Sequence, residues 1–311
     1  ATQAGIKSTI TMPTGAPIAK VNATKGYGAE VILSGDTYDE AHEKEMEIAQ
    51  ETGATIIPAF DDKHVIAGQG TIGLEILEEL PDVDVIMAPI GGGGLLSGIA
   101  TAVKEKNPNI EVIGVEAAEA ACMRESLKGG TPTTLTEVST IADGIKVKRP
   151  GDLTYSIISK YVDHIVTVTD EEIAHVISLL LERAKLTVEG AGATALAAVL
   201  NDKISLQGKK IAVVLSGGNI DLDMISTIID RGMVKAGRRI ALNTILPDVP
   251  GSLEELLGVV SKTGANIISV NHDRLSPSIS LRQAAVNLVL ETKNAEHIEE
   301  VISSLESKDY E

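Results

Sequence analysis

The sequence predicts an α/β protein, with parallel sheets that carry helices on both faces, followed by a small α+β domain. Two apolar runs, Val85–Ile90 and Lys210–Leu215, each end in a glycine turn, as strands do when both faces of a parallel sheet are covered. Strand and helix patterns alternate with short connections up to residue 235, which is typical of a parallel sheet. After Gly237–Arg239 the order becomes β-α-β-β-α, one strand short of a ferredoxin-like β-α-β-β-α-β unit.

Composition restricts the functions that this chain can have. Of its 311 residues, 43% are hydrophobic and only 2% aromatic, so the core is predicted to be aliphatic, which suits parallel sheets. A net charge of −17 argues against nucleic acid and anionic membrane surfaces as partners. No apolar stretch reaches the roughly 18 residues of a membrane span. The single cysteine, Cys122, excludes an internal disulfide framework and fits a reducing, cytoplasmic location.

Residues 1–58 are predicted to be part of a small α/β subdomain. The chain has no initiator Met and opens within a helix that ends at Gly5, so we expect it to be part of a longer protein. Asp36 and Thr37 are predicted to cap the helix that follows them. The predicted elements are strands Ser8–Met12, Glu30–Leu33 and Thr55–Ile57, and helices Pro17–Gly26 and Tyr38–Thr52.

Residues 59–235 are predicted to form a larger α/β domain. Between Pro58 and Gly73 the sequence is polar and rich in glycine, and no helix is predicted before Thr71. The loop Ile141–Gly151 suits the rim of an active site better than a core. The predicted elements are strands Val85–Ile90, Glu111–Glu116, His164–Thr169 and Lys210–Leu215, and helices Thr71–Leu80, Leu95–Lys104, Glu119–Lys128, Asp170–Leu186 (capped by Thr169) and 188–200.

Residues 238–311 are predicted to form a separate small domain whose last strand is incomplete. The turn Pro247–Gly251 separates its first strand from its first helix. The predicted elements are strand Ile240–Leu246, helix Ser252–Thr263, strands Asn266–Asn271 and Ala284–Glu291, and helix Ala295–Glu306.

The stretch Val83–Gly98 is the strongest candidate for a ligand site. Four consecutive glycines, Gly91 to Gly94, follow a buried strand and precede a helix, so their N–H groups can converge on a phosphate at the positive end of the helix dipole. The alternative is a flexible turn, although four glycines cost conformational entropy that a plain turn does not require. The second glycine turn, after Leu215, places the hydroxyl of Ser216 where a ring could lie, which suggests one ligand across both strand ends.

A dinucleotide is one candidate for that ligand. A strand, a glycine turn, a helix and then Glu116 follow the outline of a dinucleotide-binding unit. The glycine spacing of that motif is absent, because Leu96 and Ser97 occupy the positions where its last glycine would stand. No lysine follows to make a nucleotide-binding P-loop.

Five ordered motifs favour another cofactor. Over residues 1–235 the chain resembles the threonine dehydratase and serine racemase branch of the fold-type II pyridoxal-phosphate enzymes. The motifs that carry this resemblance are IGGGGLLSGIA (90–100), GQGTIGLEIL (68–77), IADGIKVKRPGDLT (141–154), VEGAGA (188–193) and LSGGNID (215–221). Residues 246–274, LPDVPGSLEELLGVVSKTGANIISVNHDR, resemble the ACT domain, which senses amino acids.

The resemblance implies a reaction and the residues that support it. The backbone of Gly91, Gly92, Gly93, Gly94 and Leu95 would hold the phosphate of pyridoxal 5'-phosphate. Ser216 would hydrogen-bond the pyridine nitrogen, and a neutral hydroxyl leaves the ring a weaker electron sink than a carboxylate would. The implied reaction is β-elimination of water from L-threonine or L-serine, giving 2-oxobutanoate or pyruvate and ammonia.

The resemblance also implies weaker assignments around this site. A divalent cation would be bound by Glu189 and the carbonyl of Ala193, although the third expected ligand position holds Ala195, which is not an acid. The motif residues Gln69, Asp143 and Gly144 would lie near the cofactor and substrate, or would be solvated loop residues.

The C-terminal domain implies regulation. Gly251 and the segment Asn266–Ile267 match the ligand loop and strand of ACT domains, although Gly251 could be only a turn residue. The expected effector is an amino acid such as isoleucine or valine, bound at a subunit interface, so a homodimer or homotetramer is expected. The implied role is in amino-acid metabolism, such as isoleucine biosynthesis.

One part of the family pattern is missing. The family forms its Schiff base on the lysine of a Ser-Phe-Lys-x-Arg-Gly motif and cradles the ring with Ser-Gly-Asn-His, and neither motif occurs in the chain. The Schiff-base lysine is therefore unknown, and the chain is expected to lack the first part of the catalytic domain and to be inactive alone. The alternative is a non-catalytic regulatory protein that binds amino acids through its C-terminal domain.

Overall fold

The computed structural model describes residues 1–16, 18–36, 38–275 and 279–310. The chain divides into two units, residues 1–65 and residues 66–311. The predicted helix start at Pro17 and the predicted cap Thr37 lie outside the described residues. No helix in the described ranges is long and apolar enough to cross a membrane.

The first unit contains a two-stranded parallel sheet and two helices. It opens with a 3₁₀ turn, Thr2–Ala4, that ends at Gly5, the residue where a helix was predicted to end, and Gly5 is in the left-handed conformation. Its elements are β1 (Thr9–Met12), α1 (Ile18–Gly26), β2 (Glu30–Leu33) and α2 (Tyr38–Thr52), with Thr9 opposite Glu30 in the β1–β2 register. The predicted strand Thr55–Ile57 was wrong. These residues have no regular secondary structure and no partner strand among the described residues, and Ile57 is 71% exposed.

The second unit begins with a four-stranded parallel sheet, ordered β5-β4-β3-β6. Its strands are β3 (Val85–Pro89), β4 (Glu111–Ala117), β5 (His164–Val168) and β6 (Ile211–Val213). Its helices are α3 (Lys63–Glu79), α4 (Gly94–Lys106), α5 (Cys122–Gly129), α6 (Asp152–Tyr161), α7 (Asp170–Leu179), α8 (Gly190–Leu200) and α9 (Leu222–Lys235). The division between the two units falls within the first turn of α3.

The central strand β3 is buried on both faces. Val85 and Met87 pack into one core with residues of α7 and α8, whereas Ile86 and Ala88 pack into a second core with residues of α4 and α6. Successive side chains of a strand point to opposite faces. Helices therefore cover both faces of the sheet, which confirms the predicted fold class.

Four predictions in this unit needed correction. The helix predicted as Asp170–Leu186 is α-helical only to Leu179 and continues as a π-helix over Leu180–Ala184. The helix expected from Thr71 begins at Lys63, because the Asp62 carboxylate accepts hydrogen bonds from the N–H groups of the next turn. The glycines of this segment are packing residues: a Cβ on Gly70 or on Gly73 would lie 3.1 Å from a carbonyl oxygen of α4. The strand predicted as Lys210–Leu215 is only three residues long and half-buried, because it forms the edge of the sheet. Helices α6 and α9 were not predicted.

The end of the chain forms a small α+β layer. Strands β7 (Arg239–Pro247), β8 (Asn266–Asp273) and β9 (Gln283–Glu291) make an antiparallel sheet ordered β7-β9-β8, and helices α10 (Ser252–Thr263) and α11 (Ala295–Glu306) pack on it. The element order is the predicted β-α-β-β-α. Its described part contains three strands, in the order of the first three strands of a ferredoxin-like unit.

Candidate cofactor site

The first glycine turn is built into the core at the end of β3. Gly91 to Gly94 are all buried, and Gly93 precedes α4 with a φ of 100°. A Cβ on Gly91 would lie 2.8 Å from the Cα of Ile145, and one on Gly93 would lie 2.8 Å from the Cβ of Thr154. Only glycine fits these two positions, because the backbone is approached closely at both and is left-handed at the second. A plain flexible turn would need neither feature.

The N–H groups of this turn fit an anion. No hydrogen bond within the described residues uses the N–H groups of Gly91, Gly92 and Gly93 as donors, and no side chain caps the start of α4. Buried N–H groups without a partner are rare in folded proteins, since each costs the free energy of a lost hydrogen bond. The helix dipole adds positive potential at the same place. The turn therefore has the donors and the charge that a phosphate group requires.

The second glycine turn lies at the same edge of the sheet. β6 is the parallel neighbour of β3, so the two strands end side by side, as the sequence predicted. Ser216, three residues beyond β6, is exposed. The carbonyl of Gly217 accepts a hydrogen bond from the N–H of Glu189 at 3.0 Å, and a Cβ on Gly217 would collide with the Glu189 carboxylate. The second turn is therefore held by Glu189, the residue that precedes α8.

A short 3₁₀ turn, Asp143–Ile145, lies beside both glycine turns. Ile145 of this turn packs against Gly91 of the first glycine turn. A Cβ on Gly144 would lie 3.2 Å from Oε1 of Glu189. Gly144 is thus brought close to the second turn, whereas Asp143 is exposed. The half-buried Gln69 lies on α3, next to the glycine that packs against α4.

Glu116 cannot serve the dinucleotide alternative. Its side chain is fully buried at the end of β4, and its two oxygens accept hydrogen bonds from the N–H groups of Met123 at 2.8 Å and Arg124 at 2.9 Å. Burial raises the pKa of this carboxyl to about 7, against the opposing effect of those two N–H groups and of the Arg124 charge. A carboxylate that binds a ribose must instead be open to the ligand.

Glu189 and Ala193, the residues predicted to bind a cation, have no cluster of further acidic, His or Cys side chains around them in the described part of the chain. Glu189 precedes α8, and the N–H of Ala193 donates to the Glu189 carbonyl at 3.0 Å. Ala195 is buried further along the helix. Across the described ranges no cluster of three His, Cys, Asp or Glu side chains could hold a metal ion. The cation at Glu189 and Ala193 stays a prediction.

The predicted regulatory residues lie in the C-terminal layer. Gly251 precedes α10 with a φ of 97°, so a left-handed backbone explains this glycine. Asn266 opens β8, and its Nδ2 donates to Oε2 of Glu291 at 3.2 Å. Ile267 is half-buried at an irregularity in the register of β8 with β9. Their regulatory role stays a prediction.

Comparison with known proteins agrees with this geometry. The family described as "Pyridoxal-phosphate dependent enzyme" matches residues 1–217. The L-threonine ammonia-lyase of Thermotoga maritima is 50% identical over 307 residues, which are 99% of this chain and 76% of that protein. Among solved structures, the processed threonine deaminase isoform 2 of Solanum lycopersicum is 35% identical, with a TM-score of 0.70 over 74% of this chain and 67% of that one. Maize serine racemase is 36% identical, with a TM-score of 0.69 over 75% of this chain and 72% of that one.

Proposed function

The chain belongs to the pyridoxal-phosphate dependent enzyme family, and from that premise we propose that it acts on L-threonine, and on L-serine, as an ammonia-lyase. The products would be 2-oxobutanoate from threonine and pyruvate from serine, each with ammonia. One observation carries the proposal: a buried glycine turn with unused N–H groups lies in a chain half identical to an L-threonine ammonia-lyase.

We assign two roles to the glycine turns. The N–H groups of Gly91, Gly92, Gly93, Gly94 and Leu95 bind the phosphate of pyridoxal 5'-phosphate, and the Ser216 hydroxyl donates to the ring nitrogen from the neighbouring strand end. When bound, the cofactor supplies the electron sink for loss of the Cα proton and the β-hydroxyl. A serine hydroxyl does not transfer its proton to the ring nitrogen, which favours prompt elimination.

The chain alone is proposed to be inactive. Its 311 residues contain no Ser-Phe-Lys-x-Arg-Gly motif, and so no lysine in the setting that the family uses for covalent attachment of the cofactor. We therefore expect the protein of this length to give no 2-oxobutanoate above the background of free pyridoxal phosphate.

A chimera tests the enzymatic proposal. The part of the Thermotoga maritima relative that this chain does not cover is joined to it in that protein's own order, and 2-oxobutanoate release from L-threonine is assayed. We expect turnover by the chimera and none by a matched chimera whose motif lysine is replaced by alanine. A soluble, cofactor-loaded chimera that releases no 2-oxo acid would contradict the proposal and favour the non-catalytic regulator.

Residues 238–311, which include the C-terminal layer, are proposed to be an ACT-like regulatory domain. The support for this proposal is the strand order β7-β9-β8 and the left-handed Gly251 before α10. The proposal includes isoleucine or valine as effector, a homodimer or homotetramer, and a cytoplasmic setting. Calorimetry tests this proposal, and a saturable heat of binding with isoleucine or valine is expected. Asn266→Ala should abolish that heat. The control variant, Asn287→Ala, alters an exposed asparagine on β9 and should keep it. Absence of heat with either amino acid would contradict it.

A further inference from the structure

The carbonyl groups of the first glycine turn are held on its protein side. Oγ1 of Thr154 donates to the carbonyl of Gly92 at 2.6 Å, and the N–H of Gly151 donates to the same oxygen at 3.3 Å. The thiol of Cys122 lies 3.9 Å from the carbonyl oxygen of Gly91 and donates to it. The next carbonyl, of Gly93, accepts the N–H of Ser97 within α4. Three successive peptide groups are thus oriented by their oxygens.

Orienting these oxygens also orients the N–H groups. In a planar trans peptide, the C=O of one residue and the N–H of the next point in opposite directions. The described chain contains no cis peptide. Because the carbonyl of Gly92 faces Thr154, the N–H of Gly93 points away from Thr154. Because the carbonyl of Gly91 faces Cys122, the N–H of Gly92 points away from Cys122.

Given the phosphate assignment proposed above, we propose that Thr154 is the positioning residue of the phosphate-binding turn. Its hydroxyl fixes the Gly92 carbonyl so that the N–H groups of Gly92 to Gly94 converge on the phosphate before the cofactor arrives. The turn is then already ordered before the phosphate binds, so binding costs no conformational entropy in the turn. The affinity for the cofactor is higher for that reason.

The surroundings of Thr154 suit this role. The side chain is fully buried in the first turn of α6, and Oγ1 also lies 3.2 Å from the carbonyl of Gly151. Oγ of Ser97 in α4 donates to the Thr154 carbonyl at 3.4 Å, so α6 is itself tied to the helix that follows the turn. Burial raises the pKa of the Cys122 thiol to about 12, which keeps it protonated as the second, weaker donor.

The test separates phosphate binding from stability. Thr154→Val removes the hydroxyl and keeps the volume, and Thr154→Ser keeps the hydroxyl. Thr292→Val is the matched control, because Thr292 is also buried and donates to a glycine carbonyl, that of Gly237 at 2.7 Å, outside the cofactor site. The 311-residue chain and each of its variants are compared. Calorimetry measures the dissociation constants of pyridoxal 5'-phosphate and of pyridoxal, which lacks the phosphate. Thermal unfolding of each protein is recorded without ligand.

We expect Thr154→Val to raise the dissociation constant of pyridoxal phosphate about tenfold, the equivalent of one lost hydrogen bond, and that of pyridoxal less than about twofold. Thr154→Ser should restore the preference for the phosphate, and Thr292→Val should leave both constants unchanged. The role of Thr154 would be overturned if Thr154→Val raised the dissociation constants of both ligands by the same factor. It would also be overturned if Thr154→Val left both constants unchanged. If the unmodified chain did not prefer pyridoxal phosphate over pyridoxal, the phosphate assignment itself would fail, and Thr154 with it. Should Thr154→Val not fold, Thr154→Ala, which also removes the hydroxyl, is compared with Thr154→Ser by the same criterion.

Discussion

The two glycine turns end neighbouring strands of one sheet, and they are built in opposite ways. The first follows the central strand β3, is buried, and has its carbonyls held by α6 and by the start of α5. The second follows the edge strand β6, leaves Ser216 exposed, and is tied to the protein at Glu189 and at Gly192. Rigid backbone donors at one end and an accessible side chain at the other are what a ligand with a phosphate and a ring requires.

This difference assigns different physical tasks to the two turns. In the first, the ligand's charge would be bound by N–H groups whose position depends on packing, so damage there affects the fold as well as the site. In the second, Ser216 could be altered with little effect on packing. The following predictions test that contrast, from the largest expected effect to the smallest.

The largest effect is expected from a single methyl group in the first turn. Gly93→Ala places a Cβ 2.8 Å from the Cβ of Thr154 and 2.9 Å from Cε of Met123, at a φ of 100°. Left-handed strain and overpacking together should lower the free energy of unfolding by about 3 to 5 kcal/mol. The matched change, Gly218→Ala in the second turn, meets its nearest atom at 3.2 Å with no positive φ, and should cost less than about 1 kcal/mol. Denaturant unfolding of both variants checks this prediction. Equal decreases in their free energies of unfolding would contradict the difference between the two turns.

The next effect concerns the buried carboxyl of Glu116, at the end of β4. The pKa of Glu116 is about 7 in the folded protein and near 4.5 when it is exposed, so the folded state holds the proton more tightly. The stabilisation is complete below pH 4.5 and is lost as the pH rises towards 7, by a few kcal/mol, since each unit of pKa is worth about 1.4 kcal/mol. Glu116→Gln should remove this loss, so the variant should gain stability relative to the unmodified chain between pH 5 and pH 8. Parallel pH profiles of the two proteins in denaturant unfolding would contradict the assignment.

The smallest effect on stability is expected from the second turn. Ser216→Ala removes an exposed hydroxyl, and the free energy of unfolding should change by less than about 0.5 kcal/mol. Pyridoxal and pyridoxal phosphate should both bind about two- to tenfold more weakly, because the bond lost is to the ring that they share. Weakening of pyridoxal phosphate alone would instead place the phosphate at the second turn.

Local sequence patterns predicted most of the elements, and they failed where a neighbour decides the structure. Helices Ser252–Thr263 and Ala295–Glu306 were predicted to the residue, because their caps and periodicity are local. The strand expected at Thr55–Ile57 has the right composition, but no described strand lies beside it. The glycines of α3 resembled a break in the helical pattern, because the helix that they pack against, α4, lies beyond strand β3 and is not a local sequence signal.

The same limit applies to the site. The glycine turn could be predicted because its chemistry lies in consecutive residues. Thr154 could not, because it contacts Gly92 from a helix that follows far along the chain, and a threonine near a helix start usually has only a local role. Its place in the motif 141–154 was the one signal. The structure adds that the Glu189 carboxylate lies against Gly217, a contact that the sequence did not indicate, and the cation role of Glu189 stays a prediction.

The strand order also determines when each turn can form. β3 pairs with β4, which follows it closely in sequence, and also with β6, which is translated only after two further helix-containing connections. Pairing distant segments requires closure of a long loop, which slows folding. The residues of α5 and α6 that hold the first turn all precede β6, so the first turn can assemble before β6 is made, whereas the second must wait for β6. A nascent chain would thus acquire the backbone that we propose binds the phosphate before it acquires Ser216, which we propose contacts the ring.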